Sequence, residues 1–251
     1  MYSILVVSCD RYSDLWPIFF NGYFKYWDDP DAKIYLGTNF KSYDDPRVTT
    51  IKIGEDKEYT TNLKAMLASI ETDYVIILVE DIFFSARVDL QHLRGFIKDC
   101  VVNKGSYLKL IQSYPLGQPS ACSQRIGPIA NGVHYRIGIG AALWEKAVLD
   151  KCLVFGMSAW DLEKNKNNVF DRVEPERAFG IRGDYSGSPI FKYTHGVMKG
   201  AWTLEAIPYL KREGFGSLIK GRETQRFRDF FYCKAFSALM FLFNKFNYKW
   251  T

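Results

Sequence analysis

The densest chemistry in the sequence is a carboxylate pair, Glu80-Asp81, that ends the run Tyr74-Val75-Ile76-Ile77-Leu78-Val79. The run is nearly continuous in apolar residues, as in a strand covered on both faces. Carboxylates at the end of a buried strand are costly unless a cation or hydrogen-bond donors compensate them. A diphosphate held through Mg2+ or Mn2+ would do so, because those ions take carboxylate and phosphate oxygens together. The plainer alternative is a strand end whose carboxylates meet solvent or cap the next element.

A second cluster is Gly156-Met157-Ser158-Ala159-Trp160-Asp161-Leu162-Glu163. Ser158 predicts a helix N-cap, and the N-terminal end of that helix favours ionised Asp161 and Glu163. Carboxylates so placed can take a proton from an acceptor hydroxyl, with Asp161 the first candidate, Glu163 in reserve and Trp160 able to pack against a sugar face. An ordinary capped helix would carry the same residues. In the third cluster, Tyr193–Trp202, His195 could ligate a metal or bind a diphosphate. Lys199 could neutralise a departing anion; a surface loop with two glycines is the alternative. Cys9-Asp10-Arg11 is the fourth. Asp10 and Arg11 are candidate contacts to a base or ribose, or else a cap and a solvated side chain. His92 and His134 read as structural.

These residues need elements to position them. Apolar patterning predicts strands at Ser3–Ser8, Ala32–Thr38, Val48–Ile53, Tyr74–Val79, Tyr107–Ile111, Val133–Ile139 and Ile190–Val197. Helices are predicted at Ser13–Trp27, Thr60–Glu71, Asp89–Asn103, Leu143–Leu153, Ser158–Lys166 and Thr203–Glu213. A long polar loop covers Gln112–Asn131, and Phe170–Gly187 is mostly loop apart from an extended Ala178–Arg182. Strands alternating with helices predict an α/β fold with a mixed, mostly parallel sheet. Ligands bind beyond the carboxyl ends of such strands, where Cys9-Asp10-Arg11, Glu80-Asp81 and the segment after Ile139 fall.

Several chemistries are excluded. No GxGxxG follows the first strand, no GxxxxGK[ST] occurs and no GxSxG occurs, which removes dinucleotide, P-loop and nucleophile-elbow sites. Gly138-Ile139-Gly140-Ala141 reads as a close-packed corner. Five scattered cysteines without a CxxC pair point to a reducing compartment, not a zinc or disulfide framework. Met1–Val7 lacks a basic region and a sufficient apolar run for a signal peptide, which makes a cytoplasmic protein the expectation.

The net charge of +5 is too mild for a nucleic-acid binder, and it is uneven. Lys220, Arg222, Arg226, Arg228, Lys234, Lys245 and Lys249 face only Glu223 and Asp229 in the last stretch of chain, interleaved with ten aromatic residues. Its longest apolar run, Ala235–Phe243, is about half of the ~20 residues that span a bilayer. Basic plus aromatic predicts a helix lying on an anionic membrane, peripheral on the inner face; packing on the body or on a second subunit is the alternative. The division expected is a catalytic domain over 1–215 and a helical extension over 216–251.

In element order, over about residues 1–210, the chain resembles nucleotide-sugar-dependent glycosyltransferases of the GT-A type, especially bacterial enzymes of lipopolysaccharide and capsule assembly. Their acidic DxD element ends a central strand after a helix, as Glu80-Asp81 does here. Val79 stands where the first carboxylate is expected, which leaves Asp81 as the best candidate metal ligand, with His195 as a second. The resemblance implies a GT-A-like, Rossmann-like fold and a nucleoside-diphosphate sugar as donor. Cys9, Asp10, Arg11, Glu80, Asp81, His195 and Lys199 would line the donor site, and an inverting displacement would use Asp161 as base. The implied acceptor is a surface glycan, free or lipid-linked. The rivals are a sugar-phosphate nucleotidyltransferase, which needs a Gly- and Lys/Arg-rich loop after the first strand that Tyr12–Trp16 does not supply, and a non-catalytic glycan-binding or assembly protein.

Overall fold

The computed structural model describes residues 1–111, 116, 123–129, 136–164, 177–182 and 190–247, with side chains of the last helix given to 239, 237 excepted. Strands β1 (Tyr2–Val7), β2 (Lys33–Thr38), β3 (Val48–Lys52) and β4 (Tyr74–Val79) pair in parallel in the order β3-β2-β1-β4. Beyond β4 the sheet turns mixed. β8 (Ala142–Glu145) is antiparallel to both β4 and β6 (Tyr107–Lys109), β9 (Ala178–Ile181) is parallel to β6, and β7 (Ile126–Pro128) closes the edge antiparallel to β9. This is the mixed, mostly parallel α/β sheet that the sequence predicts.

Side chains alternate across a strand, and the two cores follow that alternation. Ile4, Val6, Ile76 and Leu78 face the side covered by α1 (Trp16–Tyr26) and α3 (Leu90–Val102), with Phe19, Tyr23, Trp27 and Phe96 packed on them. Leu5, Val7, Val75 and Ile77 face α2 (Tyr59–Leu67), α4 (Lys146–Cys152) and α5 (Ala159–Lys164). Each fully buried side chain of this kind is worth about 1.5–3 kcal/mol. The covering helices therefore fix β1 and β4 together.

A third cluster sits beside the sheet. Its strands are β5 (Ile82–Phe84), antiparallel to β10 (Tyr193–His195), and the hairpin of β11 (Val197–Met198) and β12 (Ala201–Trp202). Phe83, Trp202, Leu15 and Ile18 pack there with α6 (Ala206–Arg212). Phe215, Leu218 and Ile219 pack on the same cluster, so the segment from 216 onward begins in contact with the body. The last helix, α7, is Phe227–Asn247. Among the described residues no helix is long and apolar enough to cross a membrane.

Four expectations change. The strand expected at Val133–Ile139 is absent over its described part, 136–139, which is bends; 133–135 lie outside the described residues. The helix expected from Leu143 starts at Lys146, because Ala142-Leu143-Trp144 is buried between β4 and β6 as strand β8. The expected Ile190–Val197 strand is two short strands that break at Gly196, where a Cβ would lie 2.3 Å from the Phe83 ring. The loop expected over Gln112–Asn131 contains β7, and most of the rest of it lies outside the described residues.

Candidate donor site at the carboxyl ends of β1 and β4

Val7 is registered opposite Val79, so the residues that follow leave the sheet side by side. Glu80 is 8% exposed. Burial pushes its carboxyl up to about 8; the neighbouring Asp81 charge adds to the rise, and Ser8 and the more distant Arg222 oppose it. The Ser8 hydroxyl is itself fixed by the Trp16 indole N–H at 2.8 Å. Burial also raises Asp81 above the ordinary carboxylate range, and the His195 imidazole pulls it back. The juxtaposition follows from the fold. β5 starts at Ile82, β10 pairs with it so that His195 lies opposite Ile82, and the Gly196 N–H donates to the Asp81 carbonyl at 2.6 Å. Glu80, Asp81 and His195, read separately from the sequence, are thus brought to one place.

The Cys9-Asp10-Arg11 cluster also follows β1, but its members differ in availability. The Asp10 carboxylate accepts the N–H groups of Asn39 at 3.0 Å, Phe40 at 3.0 Å and Lys41 at 3.1 Å, while Asn39 Oδ1 accepts the Asp10 N–H at 3.0 Å. This clamp ties the ends of β1 and β2 together and occupies both Asp10 oxygens. Arg11 is exposed, and Cys9 is half-buried with its thiol pushed up by burial, Glu80 adding to the rise. Lys199 (φ 52°) and Gly200 (φ 84°) form the two-residue turn of the β11–β12 hairpin. Positive φ at both central positions matches the right-handed twist of a hairpin. Lys199 is exposed at that tip, and no described contact joins it to Glu80 or Asp81.

The two candidate bases part company. Ser158 and Asp161 form a reciprocal cap: the Ser158 N–H and hydroxyl donate to Asp161 Oδ2 at 3.0 and 2.6 Å, and the Asp161 N–H donates to Ser158 Oγ at 3.2 Å. The Ser158 hydrogen bonds hold Asp161 below its ordinary value, at an exposed position. Glu163 turns inward. Its Oε1 accepts the Ile139 N–H at 2.8 Å, beside Gly138, whose own N–H donates to the Tyr107 hydroxyl at 2.8 Å. Trp160, 62% exposed, lies on the outer side of the same helix.

Glu163 also acts electrostatically on two groups that the sequence reading passed over. Burial lowers Lys109 on β6, and Glu163 offsets part of that. Burial raises Tyr59 at the start of α2, with Glu163 and Glu80 both adding. The Tyr59 hydroxyl is buried with no hydrogen-bond partner among the described residues. Glu163 and Glu80 thus both act on Tyr59, and Asp161 is not among the groups that do. A lysine inside the apolar run Tyr107–Ile111 was the available sequence signal. Tyr59 offered none.

No group of three His, Cys, Asp or Glu side chains that could hold a metal occurs among the described residues. No protein-family model matches the sequence, and no curated protein sequence matches it either. Solved structures similar to this chain include S. aureus TarS 1–349, at 11% identity and TM-score 0.44, covering 66% of this chain and 55% of that one. Mannosyltransferase PcManGT from Pyrobaculum calidifontis, in complex with GDP-Man and Mn2+, is 13% identical with TM-score 0.45, covering 66% and 50%. The bifunctional IspDF from Campylobacter jejuni is 10% identical with TM-score 0.46, covering 77% and 52%. The chain spans about half the length of each.

Proposed function

We propose that this protein is a glycosyltransferase that takes a sugar from a nucleoside-diphosphate donor. The observation that carries the reading is the desolvated Glu80-Asp81 pair at the end of a central parallel strand, with His195 brought to it by the β5–β10 ladder. Two carboxylates so buried stay ionised only with positive charge nearby. A divalent ion fits the donor set, since Mg2+ is commonly held by one or two carboxylates with the substrate's phosphates completing the shell. Asp81 and His195 would hold it, and it would supply charge neutralisation for the diphosphate.

Glu163 is the better-placed base. It turns inward to accept the Ile139 N–H, and its carboxylate would take the acceptor's proton. The acceptor oxygen bonds to the anomeric carbon as the carbon–oxygen bond to the diphosphate breaks, giving inversion. Trp160 and Lys199 are exposed and would meet the acceptor and the solvent edge of the donor, not the buried pair.

The acceptor we propose is a bacterial surface glycan (lipopolysaccharide, O-antigen or capsule), presented on a lipid. α7 supports that choice. Cys233 lies 3.3 Å from Met198 and Lys234 bonds Glu205 at 2.7 Å, so one face of the helix meets the body. Phe227, Phe231, Tyr232, Phe236 and Leu239 are all at least 45% exposed along the same helix. Aromatics turned outward with basic neighbours suit an anionic membrane surface.

The test is donor hydrolysis across a panel of nucleotide sugars with Mg2+ or Mn2+ present. Turnover of one donor, abolished in Asp81→Asn with the thermal unfolding midpoint unchanged, is expected. No turnover of any donor by the wild-type chain would remove the enzymatic reading and leave a glycan-binding protein. Release of inorganic pyrophosphate from a nucleoside triphosphate and a sugar phosphate would identify a nucleotidyltransferase instead.

A further inference from the structure

Arg222 belongs by composition to the basic tail, yet it is not placed like a membrane-facing residue. The Trp202 N–H donates to the Glu223 carbonyl at 2.8 Å, and the Gln225 N–H donates to the Trp202 carbonyl at 2.8 Å. Residues 223–225 are thus strapped along β12, and Phe215, Leu218 and Ile219 anchor the chain just before them. Between these anchors the Arg222 side chain is 13% exposed. Nε and Nη2 donate to the two Asp14 oxygens at 2.8 and 2.6 Å, and Nη1 to the Gly200 carbonyl at 3.3 Å. The guanidinium carbon lies 5.0 Å from the Tyr12 ring centre and 5.8 Å from that of Trp202.

Tyr12 and Asp14 follow β1, whose last residue, Val7, is registered opposite Val79, so Arg222 is held on the end of the sheet from which Glu80 emerges. A guanidinium has five N–H donors, and the described contacts use three. One N–H on each of Nη1 and Nη2 remains, a two-pronged end that matches a phosphate. A cation held this firmly has little rotamer freedom left to lose on binding, which favours affinity.

We infer that Arg222 is a donor-site residue that binds the diphosphate of the nucleotide sugar, so that the segment strapped to β12 completes the site. The inference rests on the nucleotide-sugar reading above. It places a residue of the C-terminal segment in the catalytic unit and assigns the outward-facing role to α7 alone.

The experiment measures binding of UDP, GDP, ADP and CDP, and of the corresponding nucleosides, to the full chain and to Arg222→Gln and Arg222→Lys, with thermal unfolding recorded for each. Losing hydrogen bonds to a charged group should weaken the preferred diphosphate about tenfold or more, while nucleoside affinity stays unchanged. A merely structural role would weaken both together. If the wild-type chain binds a diphosphate and Arg222→Gln binds it equally well, the inference fails and the nucleotide-sugar reading stands. If the wild-type chain binds none, both fall. Should Arg222→Gln not fold, Arg222→Lys decides: it keeps the charge without the fork, and an unchanged diphosphate affinity refutes the inference.

Discussion

Replacing Gly196 by alanine tests how the site is held. Gly196 has no positive φ, so alanine adds no backbone strain; the perturbation is steric alone. The new Cβ would lie 2.3, 2.4 and 3.0 Å from three Phe83 ring carbons. That ring is 0% exposed and stacks on Tyr209 with centroids 5.3 Å apart, so it has no room to retreat. Gly196 cannot slide away either, because its N–H is bonded to Asp81 at 2.6 Å and its carbonyl accepts the Thr203 N–H at 3.0 Å. Overpacking of this kind costs about 1–3 kcal/mol, and for a chain of this size that lowers Tm by roughly 2–12 °C. Strain relieved by parting β10 from β5 moves His195 away from Asp81, so donor turnover falls more than stability alone explains. Thermal and urea unfolding report the first effect, and kcat for donor hydrolysis the second. Phe83→Leu, destabilising alone, should be partly stabilising in the Gly196→Ala background, a coupling that a double-mutant cycle reads directly. An unchanged Tm in Gly196→Ala, or additive effects in the cycle, would refute the reasoning.

Glu163→Gln should lower transfer about 10²–10⁴-fold, the contribution of a general base, with donor affinity kept, whereas Asp161→Asn should leave turnover near normal; the reverse pattern restores Asp161 as base. Glu213, its side chain 2% exposed, accepts from Lys25 at 2.7 Å, Arg212 at 2.9 Å and Tyr26 at 3.1 Å, and Glu213→Gln should cost about 1.5–3 kcal/mol at neutral pH by urea unfolding. Burial would raise the Glu213 carboxyl, but these hydrogen bonds hold it below its ordinary value. Its contribution is therefore present above the unfolded pKa of about 4.3 and lost as pH falls through the lower folded value, so the two proteins should converge in stability in acid. A chain ending at Arg226 should keep donor hydrolysis and lose binding to anionic vesicles, binding that salt weakens in the full-length protein. A chain ending at Gly214 should lose both hydrolysis and stability, because Phe215, Leu218, Ile219 and Arg222 go with it.

The parallel half of the sheet was legible because its strands are long enough for local pattern to reveal them: β1 and β4 are buried runs bounded by polar residues. β8 was not, since four strand residues run straight into α4 and Trp144 continues the helical spacing of Val148 and Cys152. β5, three residues long, has no period to detect. Glu80, Asp81 and His195 were legible as candidates from residue type and position at element ends. The different surroundings of Asp161 and Glu163 were hidden, because both sit in one short helix and the contact of Glu163 with Ile139 is made 24 residues away. Arg222 was counted as tail because the pairing that seats it is made by backbone atoms, which leave no compositional mark.

The strand order has a consequence for how the chain is made. β4 pairs on one side with β1, already synthesised, and on the other with β8, whose last residue, Glu145, is 66 positions after Val79. At about 5–20 residues per second on the ribosome, the wholly apolar stretch Val75–Leu78 waits roughly 3–13 s with one row of peptide groups unpaired. An unpaired apolar strand is a template for association with other chains, so the nascent protein is most exposed to aggregation in the middle of its translation. Slower elongation between Val79 and Glu145 would prolong that interval, and a chaperone acting on this protein has most to protect before β8 emerges.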